Sequence, residues 1–348
     1  MKKHWWKALG VLILLYTFFM GLLVPLKPGL IGVEPTIIEA GKPVTFEVEG
    51  YNTNFLSEKA NLDAWLVRRD GKLVVPTMID ISSETAMQLS FDVPAAEAEG
   101  PAVDTLQLVI DNPGDGHFQS AVFRKKSEGA TGSATWQEQQ VELHEKKAFS
   151  YPFLNNVYES IRNLFYHVPM WFAMFLLAIA AAVLSAMHLK SHDPKRDLQA
   201  LAMSKMVMLF GALGLITGAI WAKNTWGDYW SNDPKQVYTA IGLLIYGAYF
   251  VLRASFEDPE KKARIASVYN IFAFATLVPL LYILPKLSQD SNHPGTGSNI
   301  AFGSQDLDNT MRIVFYPAII GWTLMGVWMA QLLFRANRLK ERLLDKDF

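Results

Sequence analysis

The sequence predicts a mixed fold: a polytopic α-helical membrane protein with six transmembrane helices, plus a soluble β-sandwich inserted between the first two. Three observations predict it. Hydrophobic residues make up 51% of the 348 and charged residues only 19%, against about 25% charged in a soluble domain. Six apolar runs approach the roughly 20 residues needed to cross about 30 Å of hydrocarbon. A long stretch of short alternating segments and turn signals separates the first run from the second. The net charge of -1 leaves no global basic field for nucleic acid. Cysteine is absent, which excludes disulfides, thiol catalysis, iron–sulfur ligation and a thioether haem attachment site on this chain.

The runs cover residues 5–24, 167–188, 203–221, 237–252, 265–284 and 313–334. The fourth is short and is expected to reach back to Asp233. The first begins Met1-Lys2-Lys3, as a signal peptide does, but its apolar stretch is long and no A-x-A site follows, so a retained span is expected. Lysine and arginine set the orientation. Sixteen lie on the side that includes Lys2, Lys190, Arg253 and Arg335, and the short segments on the other side, leaving aside the long segment 25–166, hold four: Lys223, Lys235, Lys286 and Arg312. Both termini are therefore expected in the cytoplasm, with 25–166, 222–236 and 285–312 facing outward. Gly214 and Gly218, and likewise Gly321 and Gly326, read as sites of close helix approach.

The outer segment alternates like strands at Val44-Thr-Phe-Glu-Val-Glu and runs apolar at Leu106-Gln-Leu-Val-Ile. Gly41-Lys-Pro, Asp70-Gly and Asn112-Pro-Gly-Asp-Gly supply turns between strands. A small antiparallel sandwich follows. The stretch from Glu34-Pro to Phe55, with Gly-Lys-Pro-Val-Thr-Phe and Gly50-Tyr, resembles an immunoglobulin-like module. Residues 127–150 read as a polar linker, and His117 and His144 as surface residues. The expected divisions are 1–26 for the first helix, 27–150 for the β-rich insert, and 151–348 for the remaining five spans.

Ionisable groups within spans are the usual functional suspects, and these spans are almost free of them at mid-depth. His188 falls at the cytoplasmic end of the second span. The unusual chemistry gathers outside, in Trp221-Ala-Lys-Asn-Thr-Trp226-Gly-Asp-Tyr229-Trp230-Ser-Asn-Asp233-Pro-Lys235. One reading is an aromatic belt at the lipid–water boundary. The other is a platform for a flat ligand, with Gly227 admitting close approach and Trp226 and Trp230 sharing a face if the stretch is helical. Asp233, ahead of Pro234 and Gln236, also suits a helix N-cap.

Outside the insert, the outward histidines are His167, where the second span begins, and His293, before the sixth. Each alone reads as an interfacial histidine. As a pair they suit haem iron, which takes two axial ligands and accepts imidazole. Aromatic planes would pack on a porphyrin, and Lys223, Lys235 and Arg312 are possible propionate partners or simply solvated charges.

Trp226-Gly-x-Tyr-Trp230-Ser-x-Asp233-Pro-Lys resembles the WWD signature of the CcmC and CcsA families of cytochrome c biogenesis. His167-Val-Pro169 and His293, flanking the loop, resemble the family's two external histidines. The likeness covers about 160–335 and the first span. It departs from the family pattern at Asn232, where a tryptophan is usual, and in the long insert. The resemblance implies haem b bound at the outer face of a bacterial inner membrane. His167 and His293 would be the axial ligands, with Trp226, Gly227, Tyr229, Trp230 and Asp233 in contact. It implies transfer to a CcmE-type haem chaperone or to apocytochrome c, alongside other membrane subunits of a maturation complex. A transfer and binding role is favoured over a turnover enzyme. The alternatives are a CcsA-type haem lyase component and a membrane-anchored adhesion module working through its β-domain.

Overall fold

In the computed structural model, the described residues are 4–97, 101–127, 134–145, 148–288, 291–293 and 307–344. The chain divides into two compact units, Pro25–Tyr158, and Met1–Val24 together with Glu159–Phe348.

The second of these is helical. Among the described residues six helices are long and apolar enough to cross a membrane. They are α1 (Trp5–Leu23), α2 (His167–Ser191), α3 (Pro194–Trp226), α4 (Pro234–Ala254), α5 (Pro259–Val278) and α7 (Asn309–Leu344). The fifth span continues from α5 through a π turn at Pro279–Ile283 into the short α6 (Leu284–Leu287). The protein is thus a multi-pass membrane protein, with spans where hydropathy placed them. The bounds of α1, the start of α2 and the reach of α4 back to Asp233 are as expected; other ends lie elsewhere, because local signals outrank hydropathy at a terminus. Three helices start at Asp-Pro: Asp193, Asp233 and Asp258 each accept a backbone N–H one turn in, from Lys195, Lys235 and Lys261, with proline where no donor is lost. α3 therefore begins well before residue 203 and runs five residues past Trp221, stopping at Gly227 with φ +90.

Glycines set the packing. Gly10 of α1 faces Leu324 of α7, and Gly321 of α7 faces Ile13 and Leu14 of α1; an added Cβ at either would come within about 3 Å of the neighbour. Gly326 makes room for Leu177 and Phe210 in the same way. Arg162 closes the C-terminal end of α1 by donating to the carbonyls of Gly21 at 3.0 Å and Val24 at 2.6 Å. Towards the opposite end of the bundle, Asn270 donates to Ser185 and accepts from Ser204, tying α5 to α2 and α3. Arg253 makes a two-pronged ion pair with Asp197, joining α4 to α3. His188 is buried there, with Nδ1 2.9 Å from the Asp193 carbonyl.

Among its described residues the other unit has nine strands: β1 (Gly29–Glu34), β2 (Ile37–Glu39), β3 (Pro43–Tyr51), β4 (Asp63–Val67), β5 (Leu73–Val74), β6 (Met78–Ile81), β7 (Ala86–Asp92), β8 (Val103–Asn112) and β9 (Gly116–Lys125). They form a four-stranded sheet, β1-β3-β7-β6, and a five-stranded sheet, β2-β9-β8-β4-β5. The expectation of a wholly antiparallel arrangement is corrected: β2 runs parallel to β9, so the larger sheet is mixed. Alternate residues of both sheets share one core that includes Phe46, Leu66, Leu89, Phe91, Leu108 and Val122.

Residues 134–145 are tied down, contrary to the reading of a polar linker. Gln137 exchanges backbone hydrogen bonds with Leu73 of the edge strand β5. Trp136 lies between the guanidiniums of Arg68 and Arg124, at 5.5 and 5.2 Å. His144 binds the buried Asp111 through its backbone N–H and its ring Nδ1, at 2.9 and 2.6 Å, and its carbonyl meets His117 Nδ1. Both histidines are exposed, as expected, and in addition they secure the segment.

Candidate functional site

His167 is the first residue of α2, and its ring lies against α3. Gly214, Thr217, Gly218 and Trp221 recur on α3 at helical spacing and form one face. An added Cβ at Gly218 would sit 2.7 Å from His167 Cε1, and one at Gly214 would sit 2.6 Å from the Trp171 ring. The two glycines therefore bring the helices close and also seat the ring of His167 and that of Trp171, one turn below it. His167 Nδ1 lies 3.0 Å from Thr217 Oγ1, and Trp171 Nε1 donates to His167 Nε2 at 3.2 Å.

The same face of α3 leads to the tryptophan-rich segment. Trp221 and Trp226 meet edge-to-face, with centroids 5.2 Å apart, and both flank His293, at 5.8 and 6.0 Å. Trp221 follows Gly218, which faces His167, by three residues along α3 and so links the two histidines through one helix face. Two histidines far apart in sequence thus come to one end of the bundle. Pro294 and the rest of 294–306 lie outside the described residues.

The idea that Trp226 and Trp230 share a helical face does not hold. Gly227 ends α3 directly after Trp226, and Asn232 is also left-handed, with φ +57. Asparagine tolerates that conformation better than a tryptophan, which accounts physically for the departure at this position. Trp230 donates to Asn232 Oδ1 at 2.8 Å, and the rings of Tyr229 and Trp230 are exposed. Trp221, a less conspicuous member of the segment, is the partner of Trp226 instead.

Asp233 is the N-cap of α4, as its context suggested, and it does more. One carboxylate oxygen accepts from Lys235 N–H at 2.9 Å; the other accepts from Ser291 Oγ at 2.8 Å. Ser291 Oγ in turn accepts from the backbone N–H of His293 at 3.2 Å. The buried Gln236 accepts from Ser231 N–H and donates to the Tyr229 carbonyl. The start of α4 thus holds both the aromatic segment and the segment carrying His293.

The three candidate cations differ. Lys235 Nζ lies 3.3 Å from His293 Nδ1. Lys223 caps the end of α3 through the Gly227 carbonyl at 2.6 Å and sits over the Tyr229 ring. Arg312, in the first turn of α7, donates to Asn309 Oδ1. Sequence reasoning passed over Thr217, Trp171 and Ser291, and read Gln236 only as part of the cap of α4 and not as the anchor of the aromatic loop. Only the small-residue spacing on α3 signalled the first two, and nothing local signalled Ser291 or the anchoring by Gln236.

Among the described residues no three metal-ligating side chains converge, so a bare ion has no protein cage here. Two imidazoles, aromatic walls beside one of them, exposed aromatic rings and nearby ammonium groups instead fit an iron held in its own flat macrocycle, which needs one or two axial nitrogens and counter-charges. The residues present fit that group.

Comparison with known proteins finds likeness to proteins of cytochrome c assembly. The model of the cytochrome C assembly protein family matches residues 138–292, which include His167, the tryptophan-rich segment and Asp233 and stop one residue before His293. The heme exporter protein C of Bradyrhizobium diazoefficiens is 27% identical over 184 residues, 53% of this chain and 68% of that protein. That of Haemophilus influenzae is 28% identical over 166 residues, 47% of this chain and 64% of that protein. A cytochrome c biogenesis protein CcsA of Prochlorococcus marinus is 39% identical over 74 residues, and the chain spans 23% of it.

Proposed function

We propose that this chain, which belongs to the CcmC/CcsA-type family of cytochrome c biogenesis proteins, binds haem b at the outer face of a bacterial inner membrane and hands it on for cytochrome c maturation. The observation that carries this is that one face of α3 seats His167 at Gly218 and, three residues on, presents Trp221, which with Trp226 flanks His293. His167 and His293 are the axial ligands. Trp226 and Trp221 wall the His293 side, and Trp230 and Tyr229 offer open ring faces. Gly227 keeps the backbone clear, since nothing lies within 4 Å of an added Cβ there. Lys235, Lys223 and Arg312 answer the propionates, Lys235 first because it adjoins His293. Asp233 holds the aromatic loop to Ser291 and so positions His293.

Haem, when bound, supplies an iron that accepts two nitrogen ligands; the chain supplies orientation, ring contact and counter-charge. The sixteen-to-four bias of lysine and arginine, counted without the long segment 25–166, supports an outward site and cytoplasmic termini. The acceptor is a CcmE-type chaperone or apocytochrome c. The CcmC-type role is preferred to the CcsA-type lyase because α3 to α7 contain no histidine, leaving no intramembrane imidazole relay.

For Pro25–Tyr158 we propose an immunoglobulin-like module that docks a partner. The order β1-β3-β7-β6 opposite β9-β8-β4 supports this, since it follows the two-sheet order of constant-type domains. It departs at Trp65 on β4, which packs with Leu73 and Val109 away from the main core. The protein purified in detergent and titrated with haem should give a saturable Soret band of the six-coordinate bis-imidazole type. Only a broad band of free haem after titration would refute the proposal.

A further inference from the structure

We infer that Thr217 and Trp171 are positioning residues that prepare His167 for iron: Thr217 fixes the ring so that Nε2 is the ligating nitrogen, and the Trp171 indole N–H holds that nitrogen until haem arrives. This deepens the proposed function and rests on the reading of His167 as an axial ligand.

Two independent constraints give the same tautomer. Thr217 Oγ1 lies 2.9 Å from the Leu213 carbonyl and 3.1 Å from that of Gly214. Carbonyls only accept, so the hydroxyl proton points to them, and the oxygen facing His167 Nδ1 at 3.0 Å acts as acceptor. Nδ1 therefore carries the proton. Separately, an indole nitrogen only donates, and Trp171 Nε1 lies 3.2 Å from His167 Nε2. Nε2 therefore presents a lone pair. Gly218 and Gly214 fix the placement, since each leaves room only for the ring it faces. A hydrogen bond from the far nitrogen of a ligating imidazole sets its orientation and raises its basicity, and here Thr217 receives that bond.

The indole bond has the opposite effect on ligation. Nε2 has a single lone pair, so Trp171 must withdraw its N–H before the ring can bind iron. One N–H···N hydrogen bond breaks and one iron–nitrogen bond forms, with no proton transferred. Trp171 thereby protects the empty ligand and lowers its apparent affinity by the strength of that bond.

The test begins on haem-free protein. Nitrogen-15 NMR of histidine-labelled protein, with the His167 resonances identified by their loss in His167→Ala, should show Nδ1 protonated and Nε2 bare. The opposite tautomer in the wild type overturns the inference whatever happens with haem. Trp171→Phe keeps the ring and deletes the donor, so it should raise haem affinity about five-fold, the weight of one ordinary hydrogen bond. Thr217→Val should lower affinity and raise the reduction potential of the bound haem, and Thr217→Ser, which retains the acceptor, should restore both. If His167→Ala changes the haem spectrum while neither Trp171→Phe nor Thr217→Val moves affinity or potential, the positioning roles are wrong and the ligand stands. If His167→Ala leaves the spectrum unchanged, the ligand reading itself has failed.

Discussion

Each aromatic side chain near His293 has a distinct expected effect. Trp226 touches the imidazole ring at 6.0 Å, whereas Trp230 is bonded to Asn232 and has an open face. Loss of one aromatic contact costs on the order of 1 kcal/mol beyond its buried area, or about five-fold in affinity. Trp230→Ala should therefore weaken haem retention by roughly that factor and leave the axial-ligand spectrum alone. Trp226→Ala should weaken retention and also disturb the spectrum, because it frees the ring of His293, the proposed ligand. Titration followed in the Soret region separates these effects. At this scale the sequence was informative about residue types and less so about their pairing. The two histidines and the tryptophan cluster could be picked out by eye. That Trp221 pairs with Trp226 depends on Gly227 ending the helix, a backbone event that a count of i, i+4 spacings missed.

Among the elements, the start of α4 organises the site. Asp233 uses one oxygen as N-cap and the other to hold Ser291. Asparagine caps as well as aspartate, and its amide N–H can donate to Ser291 Oγ where the carboxylate accepted from it, so Asp233→Asn should be mild. Asp233→Ala removes the cap, about 1 kcal/mol, together with the anchor of the His293 segment, and should lose most haem in detergent. Ser291→Ala should fall between the two and act on the His293 side alone. Severe haem loss in Asp233→Asn with normal retention in Ser291→Ala would make the negative charge, and not the anchoring, the functional property. The capping role was legible from Asp233-Pro234; the bond to Ser291 was not, because 58 residues separate the partners. Gly214 and Gly218 illustrate the same limit. Their spacing announced close helix packing, but nothing local showed that the close approach seats a histidine and a tryptophan.

For the whole molecule, hydropathy placed the six spans and turn chemistry marked a β-rich insert. The parallel β2–β9 pairing and the ordered 134–145 segment were not readable, since both depend on contacts made far along the chain. Orientation is the property most open to direct test. The chain has no cysteine, so a single Ser231→Cys change in the aromatic loop can be labelled without background. An impermeant thiol reagent should label it from the outer side in intact spheroplasts. Labelling only after the inner face is opened would reverse the topology. The central claim, that one haem is held between His167 and His293, is tested most directly by the absorption spectra of purified His167→Ala and His293→Ala beside the wild type, with His188→Ala as the control. The expected result is a shifted or weakened Soret band and haem loss in each of the first two, with little change in the third; unchanged spectra and haem occupancy in both His167→Ala and His293→Ala would contradict it.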